Sequence, residues 1–551
     1  MIRAFVVAVL LCLATALSAG AKERLVIGMT QFPSTLHPLI DSMLAKSYAL
    51  ALGMRPFTAY DPEWQLVCML CIELPTVENG GAVRERTPGG QEGIAVTYTI
   101  RPDARWGDGM PVTTKDVAFA VEVGKHPQSG VAAASLFQRI LELEIHDDRR
   151  FTLHLDRVTF DYNDIGGLVL PAHLDRANFE ADPAEYRRRT AFDADSTNPG
   201  LWFGPYRIIR IEPGTAIEFA RNPTWWGHPP AFETIIIRIV ENTAALEVNL
   251  RSGAIDYIAG ELGLSLDQAA AMEQREGDVW HFVYKAGLVY EHIDLNLDNP
   301  VLADIRVRRA LLHAIDRETI SKRLFFGRQP VAHGLVSPLD RVYDPALPRT
   351  PFDPDTARNL LDEAGWTNDR PGALRRNAAG EPLRFEFGTT AGNRSRELVQ
   401  QVLQAAWKDV GIDVRIRNQP ARVFFGETVS KRRFPGLAMY AWLSSPESVP
   451  RSTLHSTMIP TAENNWSGQN YTGYRNLDVD RLLDSIETEL NREARRKLWA
   501  ELQASYARDL PVLPLYFRAT PYVFPKPLKS VTPTGHLYPT TLWIEQWRWE
   551  E

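Results

Sequence analysis

Two cysteines three positions apart, Cys68 and Cys71 in the run Cys-Met-Leu-Cys, are the first residues of this 551-residue chain that could do chemistry. Their spacing suits a dithiol redox pair or half of a zinc site. The surroundings argue against both. Leu66, Val67, Met69, Leu70 and Ile72 make the stretch apolar, no strand–helix–strand pattern frames it, and no second His or Cys pair lies nearby. A structural pair is the reading carried forward; whether the two are joined, as an oxidising compartment would allow, the sequence leaves open. The histidines are dispersed, and none pairs with another at i, i+4. There is no Gly-x-Ser-x-Gly elbow, no Walker-type phosphate loop and no His-Glu-x-x-His metal motif. Carboxylates are abundant, but nothing in the sequence singles out the two that a glycosidase-like acid pair would need. Catalysis is the lesser reading. Its best form is an envelope hydrolase acting on a peptide or saccharide in a cleft.

Binding has more positive content. Fourteen Trp and seventeen Tyr exceed what a minimal core needs, so some should line a cleft and pack against a ligand. The formal net charge of −7 is spread without a basic run long enough to grip phosphates, which argues against a nucleic-acid partner. Arg3, the apolar run 4–17 and Ala19-Gly20-Ala21 read as a signal peptide over 1–21, too short to span a bilayer, with the mature chain starting near Lys22. No cysteine follows the cleavage site and nothing later is apolar enough to cross a membrane. A monomer in the periplasm is the expectation.

The elements that must position such a cleft interleave strands and helices throughout. Residues 98–121 run from an alternating strand (Tyr98, Ile100) through a Trp106-Gly107-Asp108-Gly109 turn to a helix start, where Thr113 and Asp116 stand at capping-box spacing. Thr234 to Val240 is a β-branched strand, followed by a helix that stops at Gly253. Asp304 caps a helix whose Val307, Ala310, Leu311, Ala314 and Ile315 form one apolar face. Asp353 and Pro354 open another that ends at Gly365. A helix over 398–410 precedes a strand at Ile412, Val414 and Ile416, and Val479, Leu482, Leu483 and Ile486 share a late helical face.

Several of these blocks, in this order, resemble the peptide/nickel-type extracellular solute-binding proteins, the capture subunits of bacterial ABC importers. The blocks are Tyr98–Val121, Gly204-Pro205-Tyr206-Arg207, Arg221-Asn-Pro-Thr-Trp-Trp-Gly227, His292-Ile-Asp-Leu-Asn296 with the Asp304 helix, the Asp353–Trp366 helix and Asn470–Leu483. The resemblance implies an α/β, periplasmic binding protein-like fold, with two lobes around a cleft and an extra third domain (type II, peptide-binding cluster). It implies lobe I over 22–63, 196–283 and 515–551, an inserted domain over 64–195, and lobe II over 284–514. The implied partners are a peptide or peptide-like solute and the permease subunits of the importer, with no cofactor and no metal.

The resemblance also selects candidate ligand contacts. Residues 439–449 correspond to a family segment in which peptide-binding members carry an Asp that pairs with the ligand's ammonium. This chain keeps Trp442 but has Ser444 and Ser445 there, with Glu447 the nearby carboxylate. That departure favours neutral polar ligands such as blocked peptides, opines or oligosaccharides. Asn470, with Asn464, Asn465 and Gln469, adds amides. Arg394, with Arg396, suits a ligand carboxylate. The loop 31–38, in an N-terminus similar to the family's, adds Gln31, Phe32 and His37, and the block that opens at Tyr290 adds Tyr290, His292 and Asn296; His37 and His292 are the two side chains a nickel or haem ligand would want.

Overall fold

The computed structural model describes residues 22–40, 43–126, 128, 129, 131, 135–260, 262–370, 372–391, 393–420, 423–463 and 468–550. The expected signal peptide, and Asn464 and Asn465, lie outside the described residues.

One ten-stranded sheet organises the molecule. Its order is Asp413–Ile416, Arg384–Gly388, Leu437–Leu443, Trp280–Leu295, Val512–Pro525, Tyr257–Ile258, Arg24–Met29, Thr234–Ile239, Ala216–Arg221 and Tyr206–Glu212. The two middle strands are 16 and 14 residues long and run antiparallel for most of that length. Each belongs to both halves of the sheet. Trp280–Ala286 pairs with Ala519–Pro525 beside the strands of the first half, and Tyr290–Asp294 pairs with Val512–Phe517 beside those of the second. Between them the register shifts, at Ala286 to Tyr290. The expected lobe boundaries 283/284 and 514/515 both fall inside these strands.

The irregularity has a local cause. A Cβ on Gly287 would lie 2.3 Å from the carbonyl oxygen of Gly535, which accepts a hydrogen bond from Leu288 N. Only a residue without a side chain allows that approach, and it interrupts the ladder.

A second sheet of four strands, Ala82–Arg86, Glu92–Thr99, Arg150–Leu155 and Ile140–Ile145, is built from the segment expected as an insertion. It shares one apolar core with the first half of the large sheet: Leu25, Ile27 and Ile235 belong to the same cluster as Ile94, Tyr98 and Leu153. The Trp106-Gly-Asp-Gly turn joins the two. Gly107 N donates to Trp202 O at 2.7 Å, the Trp106 indole donates to Asp116, and Thr113 N donates back to the Asp116 carboxylate at 2.8 Å. The capping box forms as its spacing predicts. Cys68 and Cys71 are joined as a disulfide at the margin of this core.

The second half has its own core, where helices Ile305–His313, Pro354–Glu363 and Arg394–Asp409 cover one face of the sheet. Val307, Ala310, Leu311, Ala314 and Ile315 are all buried in it. The helix expected from 398 starts four residues earlier, because Asn393 caps it by accepting from Arg396 N. Helices Leu477–Thr488 and Arg492–Asp509 pack on the opposite side.

Candidate functional site

Alternation along the strand Trp280–Leu295 decides which side chains can meet. Ile293 and Leu295 point into the helix-covered core, as does Glu291. Tyr290, His292 and Asp294 therefore face the other way, since successive strand residues project to opposite faces. On the neighbouring strand, Trp442 lies opposite Tyr290 and Tyr440 opposite His292. The result is an aromatic wall. Tyr290 stacks on His292 with ring centroids 5.0 Å apart, His292 meets Tyr440 edge-on at 4.6 Å, and Trp442 stacks on Tyr471 at 5.9 Å. Tyr506, from the helix Arg492–Asp509, closes the floor through a 3.1 Å hydroxyl contact with Tyr290.

Over this wall fold the segment 443–454 and the turn at 469–472, leaving a cavity of about 160 Å³. Its polar lining is mostly hydroxyl and amide: Ser444, Ser448, Ser452, Thr453, Thr472 and Gln469. These side chains offer donors and acceptors without fixed charge, the rings offer faces for flat or apolar groups, and Asp294 adds a carboxylate to the lining.

Two buried carboxylates flank the wall with different partners. Glu291 is fully buried and meets Arg396 Nε at 2.6 Å and Arg518 Nε at 2.8 Å. Burial pushes its pKa up, but the Arg518 and Arg396 charges and hydrogen bonds outweigh that and hold it below the usual glutamate value. Asp294 accepts from the Tyr440 hydroxyl and lies 3.2 Å from His292 Nε2. Burial, and then the Asp294 charge, push the Tyr440 hydroxyl far above its ordinary value, so it remains a donor.

The sequence candidates distribute unevenly. Tyr290, His292, Trp442 and Ser444 line the cavity, and Gln469 lies with them. Ser445 sits one residue beyond, its carbonyl accepting from Ser448 N. Glu447 adopts a left-handed backbone (φ 56°), and its carboxylate lies 3.0 Å from Arg495. Asn470 is buried within its turn, its amide donating to the carbonyls of Leu454, His455 and Tyr474. Asn296 donates to Phe434 O at 2.7 Å.

Arg394 is exposed in the first turn of its helix, and its neighbour Arg396 is the partner of Glu291. Gln31 is exposed, and Phe32 packs against the first core. His37 is walled into that core. Its Nδ1 accepts from Leu39 N at 3.2 Å and its Nε2 meets the Tyr186 hydroxyl at 3.0 Å. Burial, with Lys46 nearby, lowers its pKa to about 3, which keeps it neutral. Neither His37 nor His292 belongs to a metal-competent cluster of His, Cys, Asp or Glu among the described residues.

Sequence reasoning passed over Asp294, Tyr506 and the hydroxyls at 448, 452, 453 and 472. The signal for Asp294 was present. It follows His292 by two residues on a strand, so it had to share that residue's face.

The halves touch at several points. Arg341 Nη2 donates to Glu63 O at 3.3 Å, Phe160 N donates to Glu487 O at 2.8 Å, and Arg495 lies over the Phe160 ring at 4.7 Å. Asp340, which accepts from Glu447 N, has its pKa raised to about 6 by burial and by the Glu447 charge, against the opposing pull of backbone donors.

Two lobes joined by a pair of long strands, an added domain and a pocket lined with aromatic and hydroxyl groups define a solute receptor. Residues 91–459 match the bacterial extracellular solute-binding proteins, family 5, and the chain belongs to that family. The chain is 23% identical over 471 residues to the oligopeptide-binding protein AppA of Bacillus subtilis, spanning 83% of this chain and 81% of that protein. It superposes on the oligopeptide-binding protein of Thermus thermophilus complexed with a pentapeptide, with a TM-score of 0.73, 30% identity and 96% of each chain covered. The fold is also that of NikA from Brucella suis in complex with Fe(III)-EDTA, at TM-score 0.75 and 18% identity over 96% of this chain and all of that one. Among the described residues no helix is long and apolar enough to cross a membrane.

Proposed function

We propose that this protein is the substrate-binding component of an ABC importer, capturing a peptide or peptide-like solute in its cleft and delivering it intact to the permease in the periplasm. The observation that carries the reading is the aromatic and hydroxyl cavity, lined by side chains between residues 290 and 512, in a family 5 chain. The AppA and Thermus relatives are oligopeptide-binding proteins, which supports the solute class.

In this reading lobe I comprises 22–63, 196–283 and 515–551, the added domain 64–195, and lobe II 284–514. The long strands Trp280–Leu295 and Val512–Pro525 bend at the Gly287 irregularity. A solute that touches both lobes favours the closed form by its differential affinity for it. The Arg341–Glu63 and Phe160–Glu487 contacts belong to that form.

The hydrolase alternative would require His292 and Asp294 to activate a nucleophile. His292 Nδ1 instead lies 3.2 Å from Tyr290 O, and among the described residues no Ser or Thr hydroxyl hydrogen-bonds to this ring. Thermal melting of the purified protein with a peptide mixture, followed by mass analysis of the mixture, tests the reading. A rise in Tm with every peptide recovered unchanged is expected, because a ligand bound only to the native state stabilises it by mass action. Recovery of cleaved peptides would overturn it.

A further inference from the structure

Asp294 is about 4% exposed, and among the described residues it and His292 are the acidic and basic side chains lining the cavity. A carboxylate removed from water needs a cation or a full set of donors, and desolvating it without them is costly. Its neighbour Glu291 has two guanidinium groups. Asp294 has none: among the described residues no Lys or Arg lies within ion-pair distance of it.

One of its oxygens accepts from Tyr440. The other lies 3.2 Å from His292 Nε2, but that nitrogen makes no hydrogen bond although it is buried at the cavity wall. The cavity thus holds a carboxylate with unused accepting capacity and, at ion-pair distance from it, a histidine nitrogen that makes no hydrogen bond. Around them stand the rings of Tyr290, Trp442 and Tyr506. Aromatic faces beside a carboxylate favour cations on both counts, through the ring quadrupole and through charge.

We propose that Asp294 is the counter-ion for a positively charged group of the solute, an ammonium or a guanidinium, and that the cavity beneath Trp442 is a cation subsite. The inference rests on the receptor reading and adds to it the charge of the ligand end that enters first. It reverses the expectation of a neutral ligand drawn from Ser444 and Ser445. The missing charge is supplied from the floor of the cavity, on a different strand.

The test uses the full mature protein and three probes of equal length: pentaalanine with a free amino terminus, the same peptide acetylated and amidated, and the blocked peptide with one alanine replaced by lysine. Titration calorimetry should show the wild type binding at least one of the two cationic probes about tenfold or more tightly than the neutral one, as a charged hydrogen bond allows. Asp294→Asn should abolish that preference, while the surface variant Glu381→Gln keeps it. Preference for the free terminus alone assigns the subsite to a terminal ammonium, and preference for lysine alone to a side chain. Equal binding of all three probes, or a preference that survives in Asp294→Asn, would overturn the inference and leave the receptor reading standing. If no probe binds the wild type, the peptide reading and the inference fall together. A ligand-free check is independent of the probes: a drop in the Tm of Asp294→Asn as large as that of Glu291→Gln would mean the protein already satisfies this carboxylate, and would also overturn the assignment.

Discussion

Glu291 and Asp294 stand three residues apart on one strand, both buried, and the protein treats them differently. Glu291 faces the helix-covered core, where Arg396 and Arg518 surround it with two positive charges. Asp294 faces the cavity, with a tyrosine hydroxyl and an unaligned histidine. The same chemical group serves as a structural anchor on one side of the sheet and as a recognition element on the other. The difference is set by which cations the covering helix and the neighbouring strand bring, not by the carboxylate itself. A buried charge fully matched inside the chain has nothing left for a ligand, whereas a partly matched one has.

Substitutions can break this comparison. The largest effect is expected from Glu291→Gln, which leaves Arg396 buried without a counter-charge. Urea denaturation should show a loss of about 3 kcal/mol, at the low end for a broken buried pair because Arg518 keeps some access to water. If Glu291→Gln and Asp294→Asn cost the same, the two carboxylates do not differ in kind.

The next effect is one of pH. Asp340, at the rim beside Glu447, has a folded pKa of about 6, above its unfolded value. The native state therefore binds more protons than the unfolded state between about pH 4 and 6. The Asp340 contribution is fully favourable below that window and is lost as pH rises through it, by up to about 3 kcal/mol. Glu291 runs the opposite way: its folded pKa is lowered, so its contribution holds above the ordinary glutamate value and is lost as pH falls below it. Comparing wild type with Asp340→Asn across pH 4–7 should isolate the first trend, and a flat difference would count against it.

A smaller effect is expected at the irregularity between the two long strands. Gly287→Ala places a methyl against the Gly535 carbonyl. It should cost about 1–2 kcal/mol by overpacking, and small-angle scattering should show less compaction on adding peptide. The smallest change is expected for Asp294→Asn without ligand, within about 1 kcal/mol of wild type, since the lost charged hydrogen bond and the relieved desolvation oppose each other.

Much of the fold was legible from local sequence. Asp304 and Asp353 cap helices where their spacing places them, and the capping box of Thr113 and Asp116 forms as read. These features depend on residues within one turn of each other. The candidate site was legible only in part. Tyr290, His292, Trp442 and Ser444 come together at the cavity, whereas Asn470 and Asn296 are occupied with backbone carbonyls and Glu447 with Arg495. An amide that closes a turn and an amide that greets a ligand look alike in a sequence. Asp294 lies about 150 residues before Trp442 in the chain, and only the pairing of their two strands brings it to the same cavity.

By itself the sequence determined the strands and helices, their apolar faces, and an ordered set of blocks specific enough to point to one family. Each is set by short-range geometry and side-chain type. Which buried carboxylate is neutralised, which histidine is walled into a core, and where a cavity remains were decided only by the tertiary structure. Those outcomes depend on cations and carbonyls brought from more than a hundred residues away, as when Arg396 and Arg518 converge on Glu291 while, among the described residues, no guanidinium or ammonium reaches Asp294.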